Sequence, residues 1–189
     1  MLIHKTNTFI VEIPKTGTKT VRRVVDQMTN GSSLHGHFSV KEALERNEGV
    51  PFKKIIAVIR NPEDRLVSAL NYCMKFLDRP SPKEVKEHAS TLIKGAVEGY
   101  AKVDGLTKHY VFKPQYTFLD TQDGITVYRF EELNGLARSL GWGKPLPHEN
   151  KSKTLIEKKD VKKLKGYRDV MAMYEKDMEL YETYSIFEM

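Results

Sequence analysis

A short segment near the N-terminus combines cations, hydroxyls and a glycine in a pattern suited to binding an anion. It directly follows the apolar run TFIVEI. A strand that turns into a helix there presents backbone N–H groups and the positive end of the helix dipole. Glycine allows close approach of the backbone, and the lysines and threonines add charge and hydroxyl donors. The segment predicts a phosphate or sulfate site, with a tight turn and solvated lysines as the alternative. Its residues are Pro14, Lys15, Thr16, Gly17, Thr18, Lys19 and Thr20.

This loop differs from the two common nucleotide-binding loops. A Walker A loop needs G-x-x-x-x-G-K-[ST], and the dinucleotide fingerprint needs G-x-G-x-x-G. Gly17 is the only glycine in the segment. The sequence therefore indicates an anion site without either standard motif.

A second candidate anion site follows the apolar run IIAVI, which ends at Arg60. A planar guanidinium matches phosphate oxygens, and Ser68, two turns into the helix predicted after Asn61-Pro62, adds a hydroxyl. The alternative is that Arg60 pairs with Glu63 or Asp64. Enzymes that use ATP or GTP on a P-loop end a comparable strand in an aspartate that helps to hold Mg²⁺. An arginine in that position favours an anion held by cations alone.

Two histidines in the stretch Leu34-His35-Gly36-His37-Phe38 are candidates for proton transfer. An imidazole titrates near neutral pH, so it suits a general base. At i and i+2, His35 and His37 are also spaced as two metal ligands on a strand, or they are ordinary loop residues. No Cys, His or Asp cluster accompanies them, so no metal site is predicted. Glu12 and Glu42 are the alternative bases.

The apolar pattern predicts elements that place these groups at one edge of a sheet. Apolar runs at 8–13, 53–60 and 125–130 predict strands, and the second indicates burial on both faces. Strands that alternate with helices predict an α/β fold with parallel strands joined by right-handed crossovers. Ligands bind beyond the carboxyl ends of such strands. Helices are predicted over 18–29, 40–46, 61–77, 81–101 and 131–140, and from about 157 onward.

Length and composition predict one soluble domain over residues 1–189. The chain has 189 residues and a net charge of +6, with seven lysines between 151 and 165. That run is either a solvated helix face or a surface for a polyanion. The single cysteine, Cys73, is expected in the core. No signal peptide and no apolar run of about 18 residues is present, so a cytoplasmic or otherwise soluble protein without membrane contact is expected.

Five segments together resemble the PAPS-dependent sulfotransferases, in particular the carbohydrate (uronyl 2-O-like or Golgi-type) branch. IPKTGTKT is similar to the family's 5′-phosphosulfate loop, and RNPEDRLVSALNY to its 3′-phosphate motif. The resemblance implies a small soluble microbial or viral member. It also implies a P-loop-like three-layer fold with a central, mainly parallel sheet flanked by helices. The later segments VYRFEELNGLARSLGW, HENKS and MYEKDMELY are similar to weaker family motifs.

The resemblance also implies residue roles. Lys15 contacts the phosphosulfate and its bridging oxygen, Arg60 and Ser68 hold the 3′-phosphate, and His37, or else His35, is the base. Lys19 departs from the hydroxyl residue usual in the family. The 5′-phosphate is held by Gly17, Thr18, Lys19 and Thr20, and Thr16 of the same loop belongs to the cofactor site. Lys151, Ser152 and Lys153 either close over the nucleotide or form a solvated loop.

The function implied is transfer of a sulfuryl group from 3′-phosphoadenosine 5′-phosphosulfate (PAPS) to an acceptor hydroxyl. The product of the donor is adenosine 3′,5′-bisphosphate, and no metal is required. The acceptor is expected to be an acidic sugar or glycan. No aromatic platform for nucleic acid is present in the sequence, so nucleic acid is not expected as a partner. The alternatives are a P-loop-like nucleotide kinase and a non-enzymatic polyanion-binding module.

Overall fold

The computed structural model contains four strands and eight α-helices among the residues that it describes. The strands are β1 (Leu2–Ile3), β2 (Thr8–Val11), β3 (Lys54–Ile59) and β4 (Ile125–Arg129). The helices are α1 (Thr18–Thr29), α2 (Val40–Arg46), α3 (Pro62–Cys73), α4 (Pro82–Val97), α5 (Leu133–Ser139), α6 (Lys158–Val161), α7 (Tyr167–Met173) and α8 (Glu175–Thr183). The structure describes residues 1–29, 33–99, 110–120, 124–144, 146 and 153–184.

The chain divides into two compact units. The first contains Met1–Arg60, Gln115–Glu149 and Leu180–Met189, and the second contains Asn61–Pro114 and Asn150–Glu179. The single domain over 1–189 stays a prediction.

The first unit is built on a sheet with the order β1-β2-β3-β4. β2 pairs with β3 and β3 pairs with β4, both in parallel, with Val11 opposite Ala57 and Ile59 opposite Arg129. The three predicted strands and their parallel direction are confirmed. β1 pairs antiparallel to β2 and was not predicted, since a two-residue strand carries no periodic pattern. The carboxyl ends of β2, β3 and β4 therefore meet at one edge of the sheet.

Alternating side chains of the strands enter two separate cores of the first unit. On one face Val11, Ile13 and Ile59 pack with residues of α2, including Val40. On the other face Ile10, Ile56 and Val58 pack with residues of α1 and α5. Helices thus cover both faces of an open, mainly parallel sheet, so the α/β class is confirmed. The helix residues in this second core are Val21, Val25 and Leu136.

The second unit has its own core, formed by α3, α4, α7 and the 3-10 turn Tyr110–Phe112. Asn61 caps α3 by accepting the backbone N–H groups of Glu63 and Asp64, as the sequence predicts. Cys73 is buried, as expected. The helical stretch predicted from about 157 is three short helices. Gly166, with φ +82°, takes the left-handed conformation between α6 and α7, which a continuous helix does not allow.

One arginine in the second unit is a structural residue. Arg65 is 1% exposed, and its guanidinium donates to the carbonyl oxygens of Val111 at 3.0 Å and Lys113 at 2.7 Å. The Tyr174 hydroxyl donates to the Phe112 carbonyl at 2.8 Å. These bonds pair three successive carbonyl groups, at 111–113, with side-chain donors.

Candidate functional site

The loop after β2 has the backbone geometry of an anion-binding turn. Lys15 has φ +69° and Gly17 has φ +83°, whereas Thr16 between them is not among the positive-φ residues. Alternation of residues of opposite hand is typical of a backbone nest, in which successive N–H groups point to one concave side. α1 begins immediately afterwards at Thr18, so its positive dipole end faces the same place. The strand–loop–helix order predicted for this segment is confirmed.

Two residues of the loop fix its shape. Thr16 is fully buried, and its hydroxyl donates to the Ile13 carbonyl at 2.9 Å. A Cβ on Gly17 would lie 2.7 Å from Leu133 Cδ1 and 3.2 Å from Phe130 Cε2. The Thr16 hydroxyl proton therefore stabilises the turn, and Gly17 allows close packing of the loop against the segment after β4.

Arg60 is held at the carboxyl end of β3 and reaches the neighbouring loop. The buried Gln115 amide accepts from the Arg60 backbone N–H at 2.9 Å and donates to its carbonyl at 2.9 Å. The Arg60 Nη1 atom donates to the Lys15 carbonyl at 3.3 Å, and its guanidinium lies 4.3 Å from the ring centroid of Phe130. Three neighbouring strand ends thus bring Lys15, Arg60 and Phe130 together. Both the oxygen and the nitrogen of the Gln115 amide are thus bonded to the backbone of Arg60.

The other predicted anion ligands are placed as follows. Lys19 is exposed, and Thr18 and Thr20 are half-buried in the first turn of α1. Ser68 is half-buried on α3, in the second unit. Lys151 and Ser152 lie outside the described residues, so their role stays a prediction.

The acids suggested as partners of Arg60 form ion pairs elsewhere. Lys158 lies 3.0 Å from Glu63 and 2.9 Å from Asp64, and Lys162 lies 3.0 Å from Glu63. The two acids at the start of α3 therefore bind lysines of the basic run.

His37 is the better placed of the two candidate bases. Its Nδ1 atom is hydrogen-bonded to the backbone carbonyl of Glu12. A carbonyl only accepts, so Nδ1 carries the proton and Nε2 carries the lone pair. Burial lowers the pKa of His37 below its usual value of 6.5, against the opposing effect of the bond to Glu12. Burial thus favours the neutral imidazole, whose basic nitrogen is Nε2, whereas His35 is exposed.

Both alternative bases are engaged in structural bonds. The Glu12 carboxylate is fully buried and accepts from Arg22 Nε at 3.0 Å and from the Gly36 N–H at 2.9 Å. The Glu42 carboxylate accepts from the Ser39 N–H at 2.7 Å in a capping box at the start of α2. Sequence reasoning missed the Glu12–Arg22 pair. A charged residue within the run TFIVEI was the available signal, because a buried charge requires a partner.

The glycine between the two histidines has a structural reason of its own. Gly36 has φ +146°, and a Cβ there would lie 2.8 Å from the ring of Phe38. A larger residue would shift the ring or the loop, and with it His37.

Comparisons with known proteins identify no matching family model, curated protein or solved structure. Within the described part of the chain, no group of three or more His, Cys, Asp or Glu side chains is arranged to hold a metal ion. No helix among the described residues combines the length and hydrophobicity needed to cross a membrane. The sulfotransferase resemblance therefore depends on the sequence motifs alone.

Proposed function

We propose that the protein is a PAPS-dependent sulfotransferase with a P-loop-like fold. The observation that carries the proposal is the meeting of Lys15 and Arg60 at the carboxyl edge of the parallel sheet. Arg60 Nη1 lies 3.3 Å from the Lys15 backbone carbonyl, so two residues to which the resemblance assigns phosphate contacts come from separate strand ends and lie next to each other. A donor with phosphate groups on both the 3′ and the 5′ oxygens of its ribose requires such paired cationic sites.

The donor set in the first unit fits phosphate and sulfate oxygens. The loop supplies backbone N–H groups, the start of α1 supplies its dipole, and Lys15 and Arg60 supply full charges. The guanidinium of Arg60 is oriented by stacking on Phe130, which limits its freedom before a ligand binds. The contribution assigned to Ser68 stays a prediction from the sequence.

His37 and Lys15 have complementary tasks in the proposed reaction. PAPS supplies the sulfuryl group, and the acceptor oxygen forms a bond to sulfur as the bond to the bridging phosphate oxygen breaks. His37 Nε2 takes the proton of the acceptor hydroxyl. The Lys15 ammonium stabilises the charge that develops on the departing phosphate oxygen. The acceptor we propose is an acidic sugar or glycan, in accord with the basic composition of the chain.

Calorimetry with adenosine 3′,5′-bisphosphate tests the donor site directly. We expect Lys15→Ala and Arg60→Ala each to weaken binding roughly 10- to 100-fold, because hydrogen bonds to charged groups contribute about 1.5–3 kcal/mol. Lys53→Ala is the matched control, since Lys53 is exposed just before β3, at the opposite edge of the sheet. Its affinity should equal that of the wild type.

The same titration distinguishes the proposed sulfotransferase from a nucleotide kinase. Binding of the bisphosphate should be unchanged by EDTA, because cations of the chain replace a metal. Absence of bisphosphate binding together with Mg²⁺-dependent binding of ATP would exclude the proposal.

A further inference from the structure

Glu12 is a buried carboxylate at the carboxyl end of β2 with three N–H donors around it. Its Oε1 atom accepts from Arg22 Nε at 3.0 Å and from Arg22 Nη2 at 2.5 Å. Its Oε2 atom accepts from the Gly36 N–H at 2.9 Å and lies 3.6 Å from the amino group of Met1. Removal of a carboxylate from water is costly unless it is paired and hydrogen-bonded, so these contacts compensate for the burial of Glu12.

The same residue also holds the candidate base. The Glu12 backbone carbonyl accepts from His37 Nδ1, and the Glu12 carboxylate accepts from the N–H of Gly36, which precedes His37 in the chain. Two consecutive residues of the histidine loop (residues 34–38) are therefore attached to the residue that directly follows β2. The attachment fixes both the position of the imidazole and the nitrogen that carries its proton.

The charges around His37 act in opposite directions. The Glu12 carboxylate favours the imidazolium form, and the Arg22 guanidinium and the Met1 amino group oppose it. Arg22 lies on α1, one turn after the anion-binding loop. The segment 12–22 thus contains Glu12, which holds the candidate base, then the candidate anion-binding loop, and then Arg22, which orients Glu12.

We propose that Glu12 is a positioning residue for His37, and that Arg22 holds the Glu12 side chain in the orientation that this role requires. The inference rests on the proposed function, in which His37 is the base. Glu12 acts through the histidine loop, since both of its carboxylate oxygens accept hydrogen bonds from N–H donors.

Long-range ¹H–¹⁵N spectra of histidine-labelled protein above pH 7 test this role without any ligand. The wild type should show His37 as the Nδ1–H tautomer alone. Glu12→Ala and Arg22→Met should lose this single signal and populate both tautomers, because Gly36 loses its acceptor in the first variant and Glu12 loses the cation that orients it in the second. Glu12→Gln should preserve it, since the amide oxygen still accepts from Gly36. Arg23→Met is the control: it removes a cation from an exposed neighbour on α1 and should match the wild type.

The outcome is decisive even if one variant does not fold. If Glu12→Ala does not fold, as judged by circular dichroism, Arg22→Met decides, because the Arg22 side chain is 38% exposed whereas that of Glu12 is fully buried. A folded variant of either kind with an undiminished Nδ1–H signal would overturn the inference.

The spectra test the positioning role of Glu12, and the bisphosphate titration tests the proposed function separately. A protein that shows the tautomer change but binds no adenosine 3′,5′-bisphosphate would refute the proposed function and leave the positioning intact. Normal bisphosphate binding with an unchanged tautomer in the variants would refute the positioning alone.

Discussion

At the residue scale, the arrangement of His37 combines burial with a bond to a carbonyl that cannot donate. Burial disfavours the charged imidazole, and the hydrogen bond fixes which nitrogen is protonated. From the sequence, His37 was preferred to His35 as the candidate base only because of a family resemblance. The structure adds a physical distinction, because His35 is exposed and His37 is anchored to β2.

We expect the free energy of unfolding to depend on pH through His37. Its folded-state pKa lies below the usual 6.5, so the unfolded chain binds more protons as the pH falls. The corresponding stability is fully present above pH 6.5 and declines as the pH falls through that value toward the folded-state pKa. His37→Gln should flatten this part of the pH profile in denaturant titrations.

The matched variant for this measurement is His35→Gln, which removes the exposed histidine of the same loop. It should retain the wild-type dependence on pH. An identical slope in His37→Gln and the wild type would show that His37 is not buried as a neutral group.

At the element scale, the turn from β2 into α1 is a packing unit as well as a candidate anion site. The buried Thr16 hydroxyl closes it from within, and Gly17 allows it to approach Phe130 and Leu133. The residue types that suggest phosphate binding thus also have structural roles. The two roles are compatible, because in the proposed site backbone N–H groups bind the ligand.

Gly17→Ala should destabilise the protein by about 1–2 kcal/mol, because an L-residue disfavours the left-handed conformation at φ +83°. The new Cβ would also require Leu133 to move. Urea denaturation measures the change.

Gly135→Ala is the control for this prediction. Gly135 lies within α5 with no atom within 4 Å of a Cβ position, so alanine should be neutral or stabilise by roughly 0.5–1 kcal/mol. Equal effects of the two substitutions would contradict the proposed conformational role of Gly17.

At the scale of the whole molecule, part of the positive charge in the lysine-rich segment 151–165 is paired with acidic side chains of the protein itself. Lys158 and Lys162 form ion pairs with the acids at the start of α3, and Lys159 pairs with Glu157. Part of the charge therefore stabilises the second unit itself. This reduces the support for a non-enzymatic polyanion-binding module.

The ion-pair network predicts a second contribution to the pH dependence of stability. Burial alone would raise the pKa of Glu63, but hydrogen bonds from Tyr167, Lys158 and Lys162 outweigh it and lower the pKa from 4.5 to about 2. Because the folded-state pKa is the lower one, this stability is complete above pH 4.5 and is lost as the pH falls toward 2. Glu63→Gln should therefore destabilise the protein at neutral pH and have little effect near pH 2.

Denaturant titrations at the two pH values test this expectation, with a loss of about 1 kcal/mol at neutral pH for a partly exposed pair. The control is Glu87→Gln, since Glu87 and Lys83 form an exposed pair at 3.9 Å. The control should change stability by less than about 0.5 kcal/mol. A loss for Glu63→Gln that is equal at both pH values would contradict the network.

The elements were determined largely by local sequence. Apolar runs specified β2, β3 and β4, and Asn61-Pro62 and Ser39 specified the starts of α3 and α2, because hydrophobic periodicity and capping act over a few residues. The same local rules predicted the loop between β2 and α1. They did not predict β1, whose two residues form a strand only by pairing with β2.

The contacts between distant residues were decided by the tertiary structure. Arg60 meets the Lys15 loop 45 residues away, and Gln115 binds the Arg60 backbone across 55 residues. The attachment of His37 to Glu12 likewise depends on how a loop packs beside a strand end. The sequence supplied the chemical groups and the elements that bear them. Only the packed sheet determined which groups share a site, because parallel strands far apart in the chain place their carboxyl ends side by side.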